Sequence, residues 1–166
     1  MQNKFSMLAA VLLGIFVLPS TVYAQTPSSS STQKEAKMTD QATGPFEVKL
    51  NPLPTYNQDE KAFGRMSIDK QFHGDLEATS KGEMLAYARL AYVALEKVTG
   101  SLRGHTGTFV LQHKATLVNG TPTLTITVVP TSGTGQLTGL EGKMNIVVAP
   151  DGKHSYEFDY ALPDSR

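Results

Sequence analysis

The chain contains no cysteine and no tryptophan. Without cysteine no disulfide staples the fold, no lipid anchor can follow a leader, and no thiolate helps to hold a metal. Small exported domains usually lean on disulfides, so this one has to hold by packing and hydrogen bonds alone. An excess of charge of one sign is missing too: 15 basic residues stand against 15 acidic ones. No basic block or aromatic-basic interleaving occurs, which removes the electrostatic footprint of a nucleic-acid binder. Long apolar runs are scarce. The single candidate, Phe5 to Pro19, is shorter than the roughly 20 residues that span a bilayer. The four histidines, His73, His105, His113 and His154, are scattered at no metal-ligand spacing. No nucleophile elbow, phosphate-cradling loop or nucleotide fingerprint is present, so no metal and no cofactor is expected.

What is present begins with a leader. Met1-Gln2-Asn3-Lys4 carries one positive side chain, Phe5 to Pro19 is apolar except for Ser6 and Gly14, and Val22-Tyr23-Ala24 offers small or modest side chains at the exit. That order is the order of a signal peptide over residues 1–24, cleaved between Ala24 and Gln25. The expectation is an exported protein, periplasmic or secreted, with no membrane insertion after cleavage. Residues 25–43 hold four consecutive serines, Ser28 to Ser31, and almost no large apolar side chain. Such a stretch cannot offset its own ordering entropy and reads as a disordered linker. Residues 44–166 then make one domain of ordinary size.

Within that domain the second half is the more regular. Phe109, Leu111 and His113 share one face of a strand, with Val110 and Gln112 on the other. Asn119-Gly120 lies between two such runs and signals a two-residue hairpin. Thr123 to Val129 alternates Leu124, Ile126 and Val128 with threonines and stops at Pro130. A glycine-rich corner over Ser132-Gly133-Thr134-Gly135 leads into Lys143 to Ala149, and Asp151-Gly152 turns the chain into His154 to Leu162. This half is an antiparallel meander. In the first half Phe46 to Leu50 and Met66 to Leu76 alternate as strands, but Gly82 to Lys97 is rich in Ala, Leu, Met and Glu and favours helix by propensity. Met84, Ala88, Ala91 and Leu95 fit a helical face, whereas Leu85, Tyr87 and Arg89 fit strand alternation. Periodicity leaves both open, and with them the choice between α+β and all-β.

Four separated blocks carry a resemblance: Phe72-His73-Gly74-Asp75-Leu76-Glu77, then Leu95 to Gly100, Gly107 to His113, and Val129 to Leu140. In this order they resemble a bacterial family known as domain of unknown function 3224, whose fold is similar to that of allene oxide cyclase. The resemblance implies an all-β, eight-stranded antiparallel barrel with a small internal cavity. It also implies that Gly82 to Lys97 is two strands joined by a tight turn near Arg89-Leu90, where the family has a longer turn with Gly or Asp. It implies no activity.

A closed eight-stranded barrel is either filled by side chains or holds one small ligand. Function would then lie on inward-facing polar residues. Glu96, which follows Leu95 in an apolar strand, is the first candidate. Inside the barrel desolvation would raise its pKa and suit it to general acid or base chemistry, and Glu96→Gln would stabilise the fold; outside, it would face solvent or pair with a cross-strand Lys or Arg. Gln112 and His113 are adjacent, so only one of them lines the lumen. Tyr87 and Tyr156, like Tyr92 and Tyr160, can offer hydroxyls to a ligand, although strand aromatics commonly just pack. Three functions are compatible with this pattern: a cup for a small apolar molecule, a cyclase or isomerase resembling allene oxide cyclase, and a filled barrel acting through its surface or as a homo-oligomer.

Overall fold

The computed structural model of the chain describes residues 40–56 and 62–163; the expected signal peptide and most of the expected linker lie outside them. Eight strands follow one another: β1 Asp40–Leu53, β2 Phe63–Phe72, β3 Leu76–Tyr87, β4 Ala91–Leu102, β5 His105–Val118, β6 Thr121–Val128, β7 Glu141–Val148 and β8 His154–Ala161. Each pairs antiparallel with the next, and β8 returns to β1 to close a barrel. The ladder register fixes its geometry. A row that starts at Leu50 runs through Ile68, Gly82, Glu96, Leu111 and Val128, crosses to β7 beside the Thr127–Lys143 pair, and passes Gly142 and Tyr160 to return at Asp40, ten residues away on the same strand. That stagger tilts the strands strongly to the axis and leaves an interior that side chains can fill or one small ligand can share.

Gly82 to Lys97 is strand, as the resemblance implied and against propensity. β3 and β4 pair along their whole length, from Leu76–Leu102 to Tyr87–Ala91. Ala78, Ser80, Ala94, Glu96 and Val98 are buried inside. Tertiary pairing outweighs a per-residue helix preference of a few tenths of a kcal/mol. The connecting turn is tight: Ala88 and Arg89 sit at φ 46 and 59, and the Leu90 N–H donates to the Tyr87 carbonyl at 2.8 Å.

Other boundaries move from where the sequence put them. Met66 to Leu76 is not one strand, because β2 ends at Phe72 and the chain turns at Gly74, whose φ is 93. β1 opens at Asp40, ahead of Phe46, where alternation places the strand, and ahead of Gly44, where composition starts the domain: Asp40 to Thr43 pair with Tyr160 to Glu157, and Ala42 is fully buried. Between β7 and β8 the Gly152 N–H donates to the Ala149 carbonyl at 2.9 Å. The turn therefore centres on Pro150-Asp151, with Gly152 following at φ 83.

The barrel has a closed end and an open one. At the closed end Phe72, Leu76, Leu102, Phe109 and Phe158 pack together, and Leu137 and Leu140 seal them. These two leucines belong to the glycine-rich corner, whose polar side chains do a strand's work. The β5–β6 ladder starts only at Leu111. Ser132 Oγ, Thr134 Oγ1 and Gln136 Oε1 instead accept from the N–H groups of Val110, Thr108 and Thr106 at 3.0, 3.0 and 2.8 Å. At the open end the inward positions are half-buried or exposed, and several are small, among them Gly64, Ala86 and Ala115.

Candidate functional site

Strand alternation brings four polar residues into the lumen. Lys70, Ser80, Glu96 and His113 each occupy an inward position of β2, β3, β4 and β5, and their exposures are 5, 2, 0 and 3%. The ladder rows place them in sequence along the axis. Lys70 pairs with Ser80, Glu96 lies in the next row toward the open end, and His113 in the row beyond, level with Met66, Met84 and Ala94. Glu96 is the hub. Lys70 Nζ donates to its Oε2 at 2.8 Å, and the Ser80 hydroxyl donates to its Oε1. His113 Nε2 stands 2.9 Å from Oε2. That approach is too bent for a hydrogen bond, and Nε2 is the one buried side-chain nitrogen or oxygen among the described residues without a hydrogen-bond partner. Lys70 Nζ also sits 5.3 and 5.5 Å from the ring centres of Phe46 and Phe72, in cation–π contact.

Burial pushes the Glu96 carboxyl up, but the adjacent His113, the charge and hydrogen bond of Lys70 and the Ser80 hydroxyl outweigh it, and the pKa falls to about 2. The expected raised pKa is thereby corrected. Desolvation was the right leading contribution, but it was not alone: an ammonium and two further polar side chains converge on the same carboxylate.

The other sequence candidates part company. Glu96 and His113 meet in the lumen. Gln112 points outward, as the alternation of Phe109, Leu111 and His113 requires. Tyr87 is an exposed outward residue whose ring packs against Phe63 at 5.1 Å, so the structure does not bring it to the cluster. Tyr156 is buried at the closed end, where its hydroxyl accepts from Leu76 N–H at 2.8 Å and donates toward the carbonyls of His73 and Thr43 at 3.0 and 3.1 Å. It ties the β2–β3 turn to β1 and is committed to that task. Lys70 and Ser80 were missed. Nothing local in the sequence marks either one; only their even spacing from Ile68 and Phe72, and from Ala78, carries the signal.

Among the described residues, concavities open on the outside in two places. A groove of about 1170 Å³ runs over β2–β5 beneath Pro54 to Tyr56, floored by the outward side chains of Leu85, Val93 and Leu95, with Gln112 and the Arg65–Glu83 ion pair on its rim. A shallower recess of about 410 Å³ at the open end is lined by Phe63, Gly64, Ala86 and Arg89 among others. A Cβ placed on Gly64 would meet nothing within 4 Å.

Comparison with known proteins places the chain after its geometry. The model of a family described as "Protein of unknown function (DUF3224)" matches residues 42–160. A crystal structure of a protein with unknown function from the DUF3224 family, from Shewanella oneidensis MR-1, is similar at 44% identity and a TM-score of 0.68, over 76% of this chain and 98% of that one. No curated protein matches the chain.

Proposed function

We propose that this chain, which belongs to the DUF3224 family of proteins of unknown function, binds a small, largely apolar molecule in the open half of its barrel. The observation that carries this reading is the buried cluster of Lys70, Ser80, Glu96 and His113. A buried ion pair is a poor device for stability, since well-packed apolar residues of similar volume commonly do as well or better. A cluster of this kind, with one nitrogen left unpartnered, suits a site that fixes the polar end of a ligand. The surroundings fit. Inward positions between the cluster and the open end are mostly apolar and several are small, including Gly64, Ala86, Ala94 and Ala115, with Tyr92 bringing the one phenol among them. Leu50, Leu117, Leu124 and Val148, on the inward alternation at the strand ends, remain substantially exposed. Apolar walls with a few placed polar groups are the usual make-up of a small-molecule pocket.

The isomerase reading has less support. It asks for a cavity that holds a reactive substrate in one conformation, with steric guidance and one carboxylate; Glu96 can supply the carboxylate, but no observation favours turnover over binding. The leader supports a further part of the proposal, that the protein does this outside the cytoplasm.

Binding is tested with the neutral dye N-phenyl-1-naphthylamine, together with native mass spectrometry for a co-purified molecule. Because Gly64 faces open space, Gly64→Phe should leave the fold intact while filling the mouth. Dye fluorescence is expected to rise with the parent protein and to fall away in Gly64→Phe. If Leu95→Lys abolishes binding and Gly64→Phe does not, the ligand sits in the outer groove and the lumen reading is wrong.

A further inference from the structure

The accounting of hydrogen bonds inside the cluster says more about the ligand, on the premise that the lumen binds one. Glu96 Oε1 accepts from Ser80, and Oε2 accepts from Lys70. The Lys70 ammonium is also covered by the rings of Phe46 and Phe72. Those three side chains are taken up by one another and by the wall. His113 is different in two respects. Its row is the nearest of the cluster's rows to the open end, between Ala94 and Ile126 on the neighbouring strands, so it is the first member of the cluster that a molecule entering past Tyr92, one inward row nearer the mouth, would meet. Its Nε2 lies 2.9 Å from a carboxylate oxygen without a hydrogen bond between them. Two lone pairs at that distance would repel, so Nε2 carries a proton whose direction misses Oε2. A buried donor left in this state is unfavourable, and an acceptor supplied by a ligand would relieve it.

We propose that His113 Nε2–H is the anchor for the ligand's polar end, and that this end is a neutral acceptor oxygen, such as a ketone, rather than a carboxylate. The charge pattern decides between them. Lys70 and Glu96 already neutralise each other at 2.8 Å, so a second carboxylate would enter a buried space with no free cation to meet it and with Glu96 beside it. Buried charge without a partner is far more costly than a buried neutral oxygen that is hydrogen-bonded.

Three probes that share one ring system separate the terms by isothermal titration calorimetry: 2-acetylnaphthalene, 2-ethylnaphthalene and 2-naphthoate. The ketone is expected to bind about tenfold tighter than the hydrocarbon, as one recovered hydrogen bond allows, and tighter than the carboxylate by at least as much. His113→Phe should bring the ketone to the level of the hydrocarbon and leave the hydrocarbon's affinity as it was. His113→Gln, which keeps an N–H donor, should retain part of the preference. Equal affinity of ketone and hydrocarbon for the parent protein would mean that Nε2 is satisfied without a ligand, and would overturn the inference while leaving lumen binding standing. So would a preference for 2-naphthoate, or a ketone preference that survives in His113→Phe. Failure of all three probes to bind would instead overturn the lumen reading, and this inference with it.

Discussion

At the scale of single residues the centre of the molecule is Glu96, and its environment reverses what burial alone predicts. Its folded pKa, about 2, lies below the ordinary 4.5. A depressed carboxylate stabilises the fold above its unfolded pKa, and that contribution is lost as pH falls through the folded value, here between about 4.5 and 2. Glu96→Gln should therefore destabilise at neutral pH by about 3–5 kcal/mol, because it strands the Lys70 ammonium inside the barrel. Urea unfolding at a series of pH values checks this: the gap between parent and variant should be full at pH 7 and narrow toward pH 2. Adding Lys70→Met to Glu96→Gln should recover part of the loss, since the pair is coupled; a strictly additive double variant would contradict the proposed pairing. How much of this site was legible follows from the same residues. Alternation ties His113 to Phe109 and Leu111 but leaves open which face is the inner one; the burial of Phe109 and Leu111 turns His113 inward and Gln112 outward. Lys70 could not be found that way, because a lysine between Asp69 and Gln71 in a polar-looking run reads as solvent-exposed. It takes the register of β2 on β3 and β4 to bring it to Glu96.

At the scale of elements, the strands that were read cleanly are those with one polar face, and the ambiguous stretch is the one with two apolar faces. Thr123 to Val129 alternates threonine with aliphatic residues and reads as strand at once. β3 and β4 instead carry Leu85, Val93 and Leu95 on the outside, floored into the outer groove, so their period-two signal is blurred. Turns show the same contrast in their chemistry. Asn119 and Gly120 hold φ 51 and 77 in a two-residue loop, and Ala88 and Arg89 hold φ 46 and 59 with no residue suited to it. Left-handed backbone costs an ordinary residue about 1–2 kcal/mol and glycine almost nothing. Arg89→Gly is thus expected to raise stability by about 0.5–1 kcal/mol, after the entropy that glycine adds to the unfolded chain. Gly120→Val should lower it by at least as much, although a Cβ there meets no neighbour within 4 Å. Thermal melts of the two variants test the turn assignment, which fails if both move in the same direction.

At the scale of the whole molecule, stability without disulfides depends on closing the barrel, and closure depends on the segment that composition assigned to the linker. Asp40 to Thr43 supply the outer part of the β1–β8 ladder. The Thr43 carbonyl accepts from Asp75 N–H at 3.1 Å and the Thr43 N–H donates to the Asp75 carboxylate at 3.0 Å, while Arg103 Nη2 donates to the Gln41 carbonyl at 2.5 Å. Composition hid this because Asp, Gln and Thr look like linker residues, and only Ala42 is buried among them. The consequence is a sharp boundary. A chain that begins at Asp40 should melt within a degree or two of one that begins at Gln25, where the leader predicts that the exported protein starts. A chain that begins at Gly44 should melt about 10 °C lower or more, since a few kcal/mol shifts a domain of this size by that much. Removing those four residues leaves β8 an unpaired edge along Glu157 to Tyr160, which is a template for association between copies. The shortened chain should accordingly also aggregate on heating. Equal melting of the chains starting at Asp40 and Gly44 would mean that the barrel does not need this seam, and that the domain begins where its composition changes.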